Sequence, residues 1–147
     1  MKHLALAASM IALGGLHAQT ISTPQSIKWG PAPAVLPAGA RAAVLDGDPT
    51  KESLFTMRLI FPAGYRIPPH FHAADEHITV LSGVLKVGMG DTFDRKKMTS
   101  LHAGAFGAVP AGMHHYASAA GRTIIQLHAM GPWKLTYVNA ADAPKSP

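Results

Sequence analysis

The sequence predicts an all-β domain made of short strands. Gly and Pro supply 14 and 12 of the 147 residues, a content that interrupts long helices but suits strands joined by turns. Residues 53–61 alternate strictly, so one face carries Phe55, Met57, Leu59 and Phe61. No segment predicts a convincing helix. A sandwich or a closed barrel of strands is therefore the predicted architecture.

Further strands are predicted from short apolar or alternating runs, each bounded by Gly, Pro or Asn. After the strand at 53–61, these runs lie at residues 78–81, 84–89, 106–109, 123–129 and 135–138. Residues 91–101 form the most polar internal stretch and are predicted to be a surface excursion. The chain has no repeat of fixed period, and its length corresponds to about one domain.

The first 18 residues have the pattern of a secretory signal peptide. Lys2 provides a short positive start, an apolar run follows from Leu4 to Leu16, and Ala18 stands at the expected cleavage point. The run is shorter than the roughly 20 apolar residues of a transmembrane helix. We therefore expect export to the periplasm or the medium, with no stable membrane insertion of the mature chain. An uncleaved anchor is the alternative.

The predicted mature chain has three parts. Residues 19–40 carry several prolines and are expected to form an extended arm that wraps the domain, because proline prevents a continuous helix. Residues 41–140 are expected to form a single domain, and residues 141–147 a C-terminal tail. The arm can also cross to a neighbouring copy, so a homodimer is one expected assembly.

Composition and charge exclude several classes of function. The sequence has no Cys, which excludes disulfides, thiolate metal sites and catalytic thiols. The formal net charge is +5, but the dense basic run from Arg95 to Lys97 lies beside Asp91 and Asp94. Nucleic-acid binders concentrate basic residues on one face, so no nucleic-acid partner is expected. The nine His outnumber the eight carboxylates, and this surplus needs an explanation.

One segment carries a pattern suited to metal binding. On a strand, residues two apart point to the same side, so His70 and His72 direct both imidazoles into one space. Glu76 follows after a short turn and can bring a carboxylate oxygen to the same point. A second cluster, which contains His114 and His115, offers a fourth ligand.

These residues make the sequence resemble the cupin superfamily, whose two motifs it matches in the correct order. The first motif requires glycines, histidines and a glutamate at fixed spacing, and the matching residues are Gly64, His70, His72, Glu76 and Gly83. The second motif is matched by Gly104, Pro110, Gly112 and His115, with Ala119 where the family has Asn. The Asn position does not ligate the metal. The motifs and their strands cover residues 53–130.

The resemblance implies a cupin-type jelly-roll β-barrel of antiparallel strands with one divalent metal inside. The implied ligands are His70, His72, Glu76 and His115. Three imidazoles and a carboxylate suit Mn, Zn or Fe, and also Ni, Cu or Co. We favour Mn and Zn slightly, because Fe(II) is easily oxidised outside the cytoplasm. An octahedral metal with four protein ligands keeps two open positions, which metal catalysis requires.

Three further polar residues are candidates for substrate chemistry. His128 shares a strand face with Gln126, which predicts a lumen position for His128 as a general base or as a hydrogen-bond donor near the metal. A structural histidine is the alternative. Arg58 and Arg66 can hold a substrate carboxylate, or else lie at the surface. No role is predicted for His77, His102 and His114.

Two classes of function follow from these residues. The first is a metalloenzyme that acts on a small organic molecule, as a dioxygenase, an isomerase or a lyase. The alternative is a non-catalytic, metal-dependent protein that binds or senses a small molecule. Five apolar residues can form a pocket wall, although plain core packing is the default expectation for them, namely Met89, Met113, Tyr116, Met130 and Trp133. The implied fold hosts many reactions and does not choose among them.

Overall fold

The strands form two antiparallel sheets. The computed structural model describes residues 19–145, so the predicted signal peptide at 1–18 lies outside the described residues. The strands are β1 (Gly30–Pro31), β2 (Arg41–Asp46), β3 (Leu54–Phe61), β4 (Arg66–Phe71), β5 (Glu76–Ser82), β6 (Val84–Met89), β7 (Thr99–His102), β8 (Phe106–Val109), β9 (His115–Ala119), β10 (Thr123–Met130) and β11 (Thr136–Tyr137). Short 3-10 turns occur at Arg95–Lys97 and Ala140–Asp142.

The first sheet has the order β1-β2-β3-β10-β5-β8, and the second has the order β11-β4-β9-β6-β7. This is the all-β, jelly-roll architecture that the sequence predicts. Strands β7 and β8 are the outer strands of different sheets and are not paired with each other. The two sheets therefore leave an edge between β7 and β8 that no backbone hydrogen bonds close.

The alternation along β3 and β10 places one face of each strand in the core. Phe55, Met57, Leu59 and Phe61 are all buried, as predicted, and their neighbours on the other face are partly exposed. Strand β10 repeats this pattern, since Ile125, Leu127 and Ala129 pack inward opposite β3. Burying these side chains supplies the main driving force for folding, at roughly 25 cal/mol for each Å² of apolar surface.

All six predicted strand segments coincide with strands of the structure, within one or two residues at their ends. Four other strands, β1, β2, β7 and β9, were not singled out from the sequence. Strands β2 and β9 are rich in Ala, which has low β-propensity. Strand β7 is mostly polar and begins inside the stretch at 91–101 that was predicted to be a surface excursion only. These strands exist because they pair with stronger neighbours.

The Pro-rich arm contacts its own barrel. Leu36 is 4% exposed and belongs to the core. The hydroxyl of Tyr137 donates to the carbonyl of Val35 at 2.8 Å, and the hydroxyl of Tyr65 donates to the carbonyl of Pro37. The arm therefore closes one end of the interior. Among residues 19–145, no helix is long and apolar enough to cross a membrane.

Gly83 occupies the turn where the chain passes from β5 in the first sheet to β6 in the second. Its φ is +77°, and a Cβ there would lie 2.5 Å from the carbonyl oxygen of Arg122 and 2.8 Å from Oγ1 of Thr123. Thr123 is fully buried, and its hydroxyl donates to the carbonyl of Val84 at 3.1 Å. The turn is thus packed against a buried polar group that cannot move freely.

We predict that Gly83→Ala destabilises the fold more than Gly64→Ala. Both positions have positive φ, but a Cβ on Gly64 would have no atom within 4 Å. Gly64→Ala should therefore lower the free energy of unfolding only by the backbone strain, about 1 to 2 kcal/mol. Gly83→Ala should lower it by the same strain and, in addition, by the cost of the clash with Arg122 and Thr123. Chemical denaturation of both variants checks this order. Equal losses in the two variants would contradict the close packing at Gly83.

Candidate metal centre

Three imidazoles converge in the interior. His70 and His115 lie opposite each other on paired strands β4 and β9, and His72 follows directly after the end of β4. One ring nitrogen of each lies within 4.8 Å of the others. All three side chains are buried, and their solvent exposure is 5% or less. The spacing of two residues therefore places His70 and His72 in one space, as predicted.

Glu76 brings a carboxylate to this cluster from the other sheet. It is the first residue of β5, and it is 5% exposed. Its Oε1 lies 3.5 Å from Nε2 of His72, and its Oε2 lies 3.8 Å from Nε2 of His115. The structure thus brings together the four residues that the cupin resemblance implies as ligands. The cluster joins both sheets.

Main-chain carbonyls set the tautomer of each histidine. Nδ1 of His70 bonds to the carbonyl of Pro68 at 2.8 Å, and Nδ1 of His115 bonds to that of Met113 at 3.0 Å. Nδ1 of His72 bonds to the carbonyl of Lys134 at 2.7 Å. A carbonyl only accepts hydrogen bonds, so each Nδ1 carries the proton and each Nε2 keeps a lone pair.

The donor set fits a metal ion. Nε2 of His72 is buried and has no hydrogen-bond partner among the described residues, although a buried polar atom without a partner is costly. Metal-binding histidines typically donate their second ring N–H to a carbonyl or carboxylate, as all three do here. A divalent ion would satisfy this lone pair and offset the charge of Glu76.

Burial keeps the imidazoles neutral. Burial, together with the smaller effect of the neighbouring His115, lowers the pKa of His70 to about 3. Burial also lowers the pKa values of His72 and His115. Burial raises the pKa of Glu76, while the neighbouring His115 acts in the opposite direction. Neutral imidazoles are the form that binds metal, so at neutral pH no proton has to leave them.

The cluster lines a small, apolar cavity. The space open to the centre of a water molecule is about 30 Å³, which holds about two waters. The indole of Trp133 stacks on His72 with 5.6 Å between ring centroids. The other cavity walls are hydrocarbon side chains from both sheets and from the arm, namely Leu36, Leu59, Phe61, Ile67, Ile78, Leu85, Val87, Ala117, Ile125 and Leu135.

The predicted lumen position of His128 is wrong. Ile125 and Leu127 of β10 face the core, so Gln126 and His128 face the outside of the sheet. Nδ1 of His128 lies 3.0 Å from Oγ1 of Thr56, and its Nε2 lies 3.1 Å from the amide nitrogen of Gln126. The all-apolar face of the strand packs inward, which is the usual result of polar and apolar alternation. His128 therefore lies on the opposite face of the sheet from the cavity and does not contact it.

Neither candidate arginine lines the metal cavity. Arg58 lies on the same outer face as His128, where its Nε donates to Oε1 of Gln126 at 2.9 Å. The guanidinium of Arg66 lies over the ring of Phe93, 5.6 Å from its centroid. No Lys or Arg is present among the described residues that line the cavity. A substrate carboxylate would therefore find no basic side chain in the cavity.

Of the five predicted pocket-wall residues, only Trp133 lines the metal cavity. Tyr116 is fully buried, but it packs outside the barrel interior against Phe93 and Gly88. Met113 and Met130 are about half exposed. Met89 lines a neighbouring cavity described below.

The other three histidines among residues 19–145 lie outside the cluster. His114 points away from His115, and its Nδ1 lies 2.6 Å from Oδ1 of Asp91 at the surface. His77 and His102 are exposed. Sequence reasoning missed the contribution of Leu36 and Leu135 to the cavity, because they reach it from segments remote from the motifs. No local signal marks them.

We predict that the metal-free protein loses stability as the pH falls below about 6.5. Unfolded histidines take up protons near that pH, whereas folded His70 stays neutral down to about 3. The unfolded state then binds more protons, so its free energy falls relative to the folded state by about 1.4 kcal/mol for each proton and pH unit. Glu76 opposes this trend over the interval between its unfolded pKa of 4.5 and its raised folded pKa, where the folded state holds the extra proton.

Unfolding of metal-free protein at pH 5 to 8 measures this slope. His70→Gln should reduce it, and exposed His102→Gln should leave it unchanged. An unchanged slope in His70→Gln would show that His70 is not held neutral by burial.

Comparison with solved structures supports the cupin fold. RemF, a polyketide cyclase from Streptomyces resistomycificus, has 16% sequence identity and a TM-score of 0.70, over 86% of this chain and 90% of that chain. A putative acetylacetone dioxygenase from Methylibium petroleiphilum has 19% identity and a TM-score of 0.65, over 96% and 91%. KdgF from Halomonas has 16% identity and a TM-score of 0.59, over 78% and 96%. At these identities the likeness concerns the fold alone.

Sequence comparison gives the family. A search of curated proteins finds no match. A family model described as a domain of unknown function, DUF4437, matches residues 20–145, which is most of the chain and nearly all of its described part. The chain therefore belongs to the DUF4437 family, which is a cupin-like family.

Proposed function

We propose that this chain is an exported metalloenzyme that acts on a small organic molecule at one divalent metal. The ligands are His70, His72, Glu76 and His115. The observation that carries the proposal is the set of three buried Nε2 lone pairs that face one point, each oriented by a carbonyl bond at Nδ1. Burying this set without an ion would leave polar atoms unpaired in an apolar interior.

The metal is Mn, Zn or Fe in this proposal, and Ni, Cu and Co also suit the donors. When bound, it would polarise a substrate oxygen as a Lewis acid or support dioxygen chemistry. The protein's part is to keep the imidazoles neutral and oriented, and to exclude bulk water by means of hydrocarbon walls. The stacked indole of Trp133 holds the ring plane of His72.

The reaction class remains a dioxygenase, an isomerase or a lyase. Proteins with a similar fold include the putative acetylacetone dioxygenase and the polyketide cyclase named above. Their different chemistries agree with the rule that function depends on the site and not on the fold. The chain's own residues therefore have to decide the reaction.

One observation favours a second function, which is metal-dependent binding without turnover. With His128 on the outer face, the cavity walls contain no proton carrier apart from the four proposed ligands, among the described residues. A reaction that needs a separate general base would have to use Glu76 or a solvent molecule. Turnover measurements decide between the two functions.

We predict that purified protein binds close to one equivalent of divalent transition metal per chain. His70→Ala combined with His72→Ala should abolish binding, because it removes two of the four donors. His77→Ala combined with His102→Ala is the matched control, since both residues are exposed. Elemental analysis after gel filtration measures the content. Metal-free wild-type protein after exposure to Mn(II), Zn(II) and Fe(II) would contradict the proposal.

We also predict that the mature protein begins near Gln19. The signal-peptide pattern at residues 1–18 is the basis of this prediction. Expression of the full chain in a bacterial host, followed by cell fractionation and N-terminal sequencing, checks it. Recovery of the intact chain, from Met1, in the cytoplasm would contradict export.

A further inference from the structure

A second cavity opens between the unpaired strands β7 and β8, at the edge where the two sheets separate. We call it the side chamber. Its volume is about 330 Å³, which lies within the range of about 300 to 1,000 Å³ that is typical of small-molecule sites. Its main walls are Ile78, Val87, Met89, Leu101, Gly107 and Val109.

The side chamber adjoins the metal cavity. Ile78 and Val87 line both spaces, so they form the partition between them. Val109 is the cross-strand partner of Glu76, and Met89 is the cross-strand partner of His115. Two walls of the chamber are therefore paired directly with two of the proposed ligands. A molecule in the chamber would need only to pass between two aliphatic side chains to reach the cluster.

The two volumes suggest a division of roles. The metal cavity, at about 30 Å³, accommodates an ion with its solvent ligands but not an organic molecule. The side chamber, at about 330 Å³, accommodates the body of a small molecule. Met89 is 53% exposed at the chamber wall, so the chamber is open to solvent. It brings solvent-accessible space as far as the partition of Ile78 and Val87 beside the cluster.

The walls also determine which chemical group can occupy the inner end. The charged and hydroxyl side chains of the chamber are those of Lys97 and Thr99, and both are exposed at its outer side. The partition and the metal cavity contain no Lys or Arg among the described residues. A carboxylate that moved inward would lose its hydration. Besides the metal, it could gain only the indole N–H of Trp133, which is buried and has no hydrogen-bond partner among the described residues. An uncharged group loses less hydration free energy when it enters the same apolar space.

We propose that the side chamber is the substrate site, and that it takes a compact, uncharged, largely apolar molecule with two oxygen donors. The apolar body lies against Met89, Leu101 and Val109, and the oxygen end passes Ile78 and Val87 to the cluster. This inference rests on the proposed metal function. It adds the location and the chemical class of the substrate, which the ligand cluster alone does not specify.

Two small molecules test the chemical class. Acetylacetone and malonate have the same number of heavy atoms and the same spacing of oxygen donors, but only malonate is a dianion at neutral pH. Binding to Co(II)-loaded protein is followed by the visible absorption of the metal. Acetylacetone should bind at least about tenfold more tightly than malonate, which is about 1.4 kcal/mol. Equal or tighter binding of malonate would overturn the proposal that the side chamber takes an uncharged molecule.

Two substitutions test the location. Gly107 lies in β8 without positive φ, and a Cβ there meets only Cδ1 of Leu101, at 3.6 Å. Gly107→Leu should therefore fit the backbone, fill the chamber and weaken acetylacetone at least about tenfold. Gly30→Leu is the control, since Gly30 lies in β1 at the opposite edge of the same sheet, with no atom within 4 Å of its Cβ position. Unchanged affinity in folded, metal-loaded Gly107→Leu would overturn the location.

A third variant, designed to gain affinity for malonate, keeps the location testable if Gly107→Leu does not fold. Met89→Lys places a cation in the chamber at an exposed position, so it should raise the affinity for malonate relative to acetylacetone. An unchanged ratio would contradict the chamber as the binding site. Co(II) content is measured first in every variant. Failure of the wild type to bind Co(II), Mn(II), Zn(II) or Fe(II) would reject the metal function itself, whereas a metal-loaded protein with the wrong ligand preference would reject only this inference.

Discussion

The hydrogen bonds from three imidazole Nδ1 atoms to main-chain carbonyls are the interaction on which the site depends. Each bond places the proton at Nδ1 and directs the Nε2 lone pair inward. The accepting carbonyls belong to the strand start before His70, to the loop before His115 and to the segment before β11. The backbone of the fold therefore selects the tautomer before any metal is bound.

This arrangement explains why the interior tolerates so many polar groups. A jelly roll normally fills its interior with hydrocarbon, and most of this cavity follows that rule. The histidines and Glu76 are exceptions, whose charged or unpaired forms are costly in such surroundings. Burial lowers the imidazole pKa values and raises that of Glu76, so it favours the uncharged form of all four groups. A divalent ion would shift Glu76 back toward its charged form, because a bound cation dominates local electrostatics.

The division between a small metal cavity and a larger side chamber follows from the topology. The cluster is enclosed because strands β4, β9 and β5 contribute to it from both sheets. The chamber exists because β7 and β8 end their sheets without pairing. One edge of the sandwich is closed by the arm through Leu36 and the two tyrosine hydroxyls, and the other edge is left accessible. In the proposed function, a substrate would therefore approach the cluster only from the edge at β7 and β8.

The sequence by itself determined the fold class, most strands and the four clustered residues. Alternation along a strand is a local rule that places His70 and His72 on one side, and the resemblance to the two cupin motifs added Glu76 and His115 as the other implied ligands. The sequence could not determine which face of β10 packs inward, so His128 was placed on the wrong side of the sheet. The sequence also could not show that Trp133 stacks on His72, that Leu36 lines the metal cavity, or that a side chamber exists. Those features depend on contacts between segments far apart in the chain, and only the packing of the two sheets decides them.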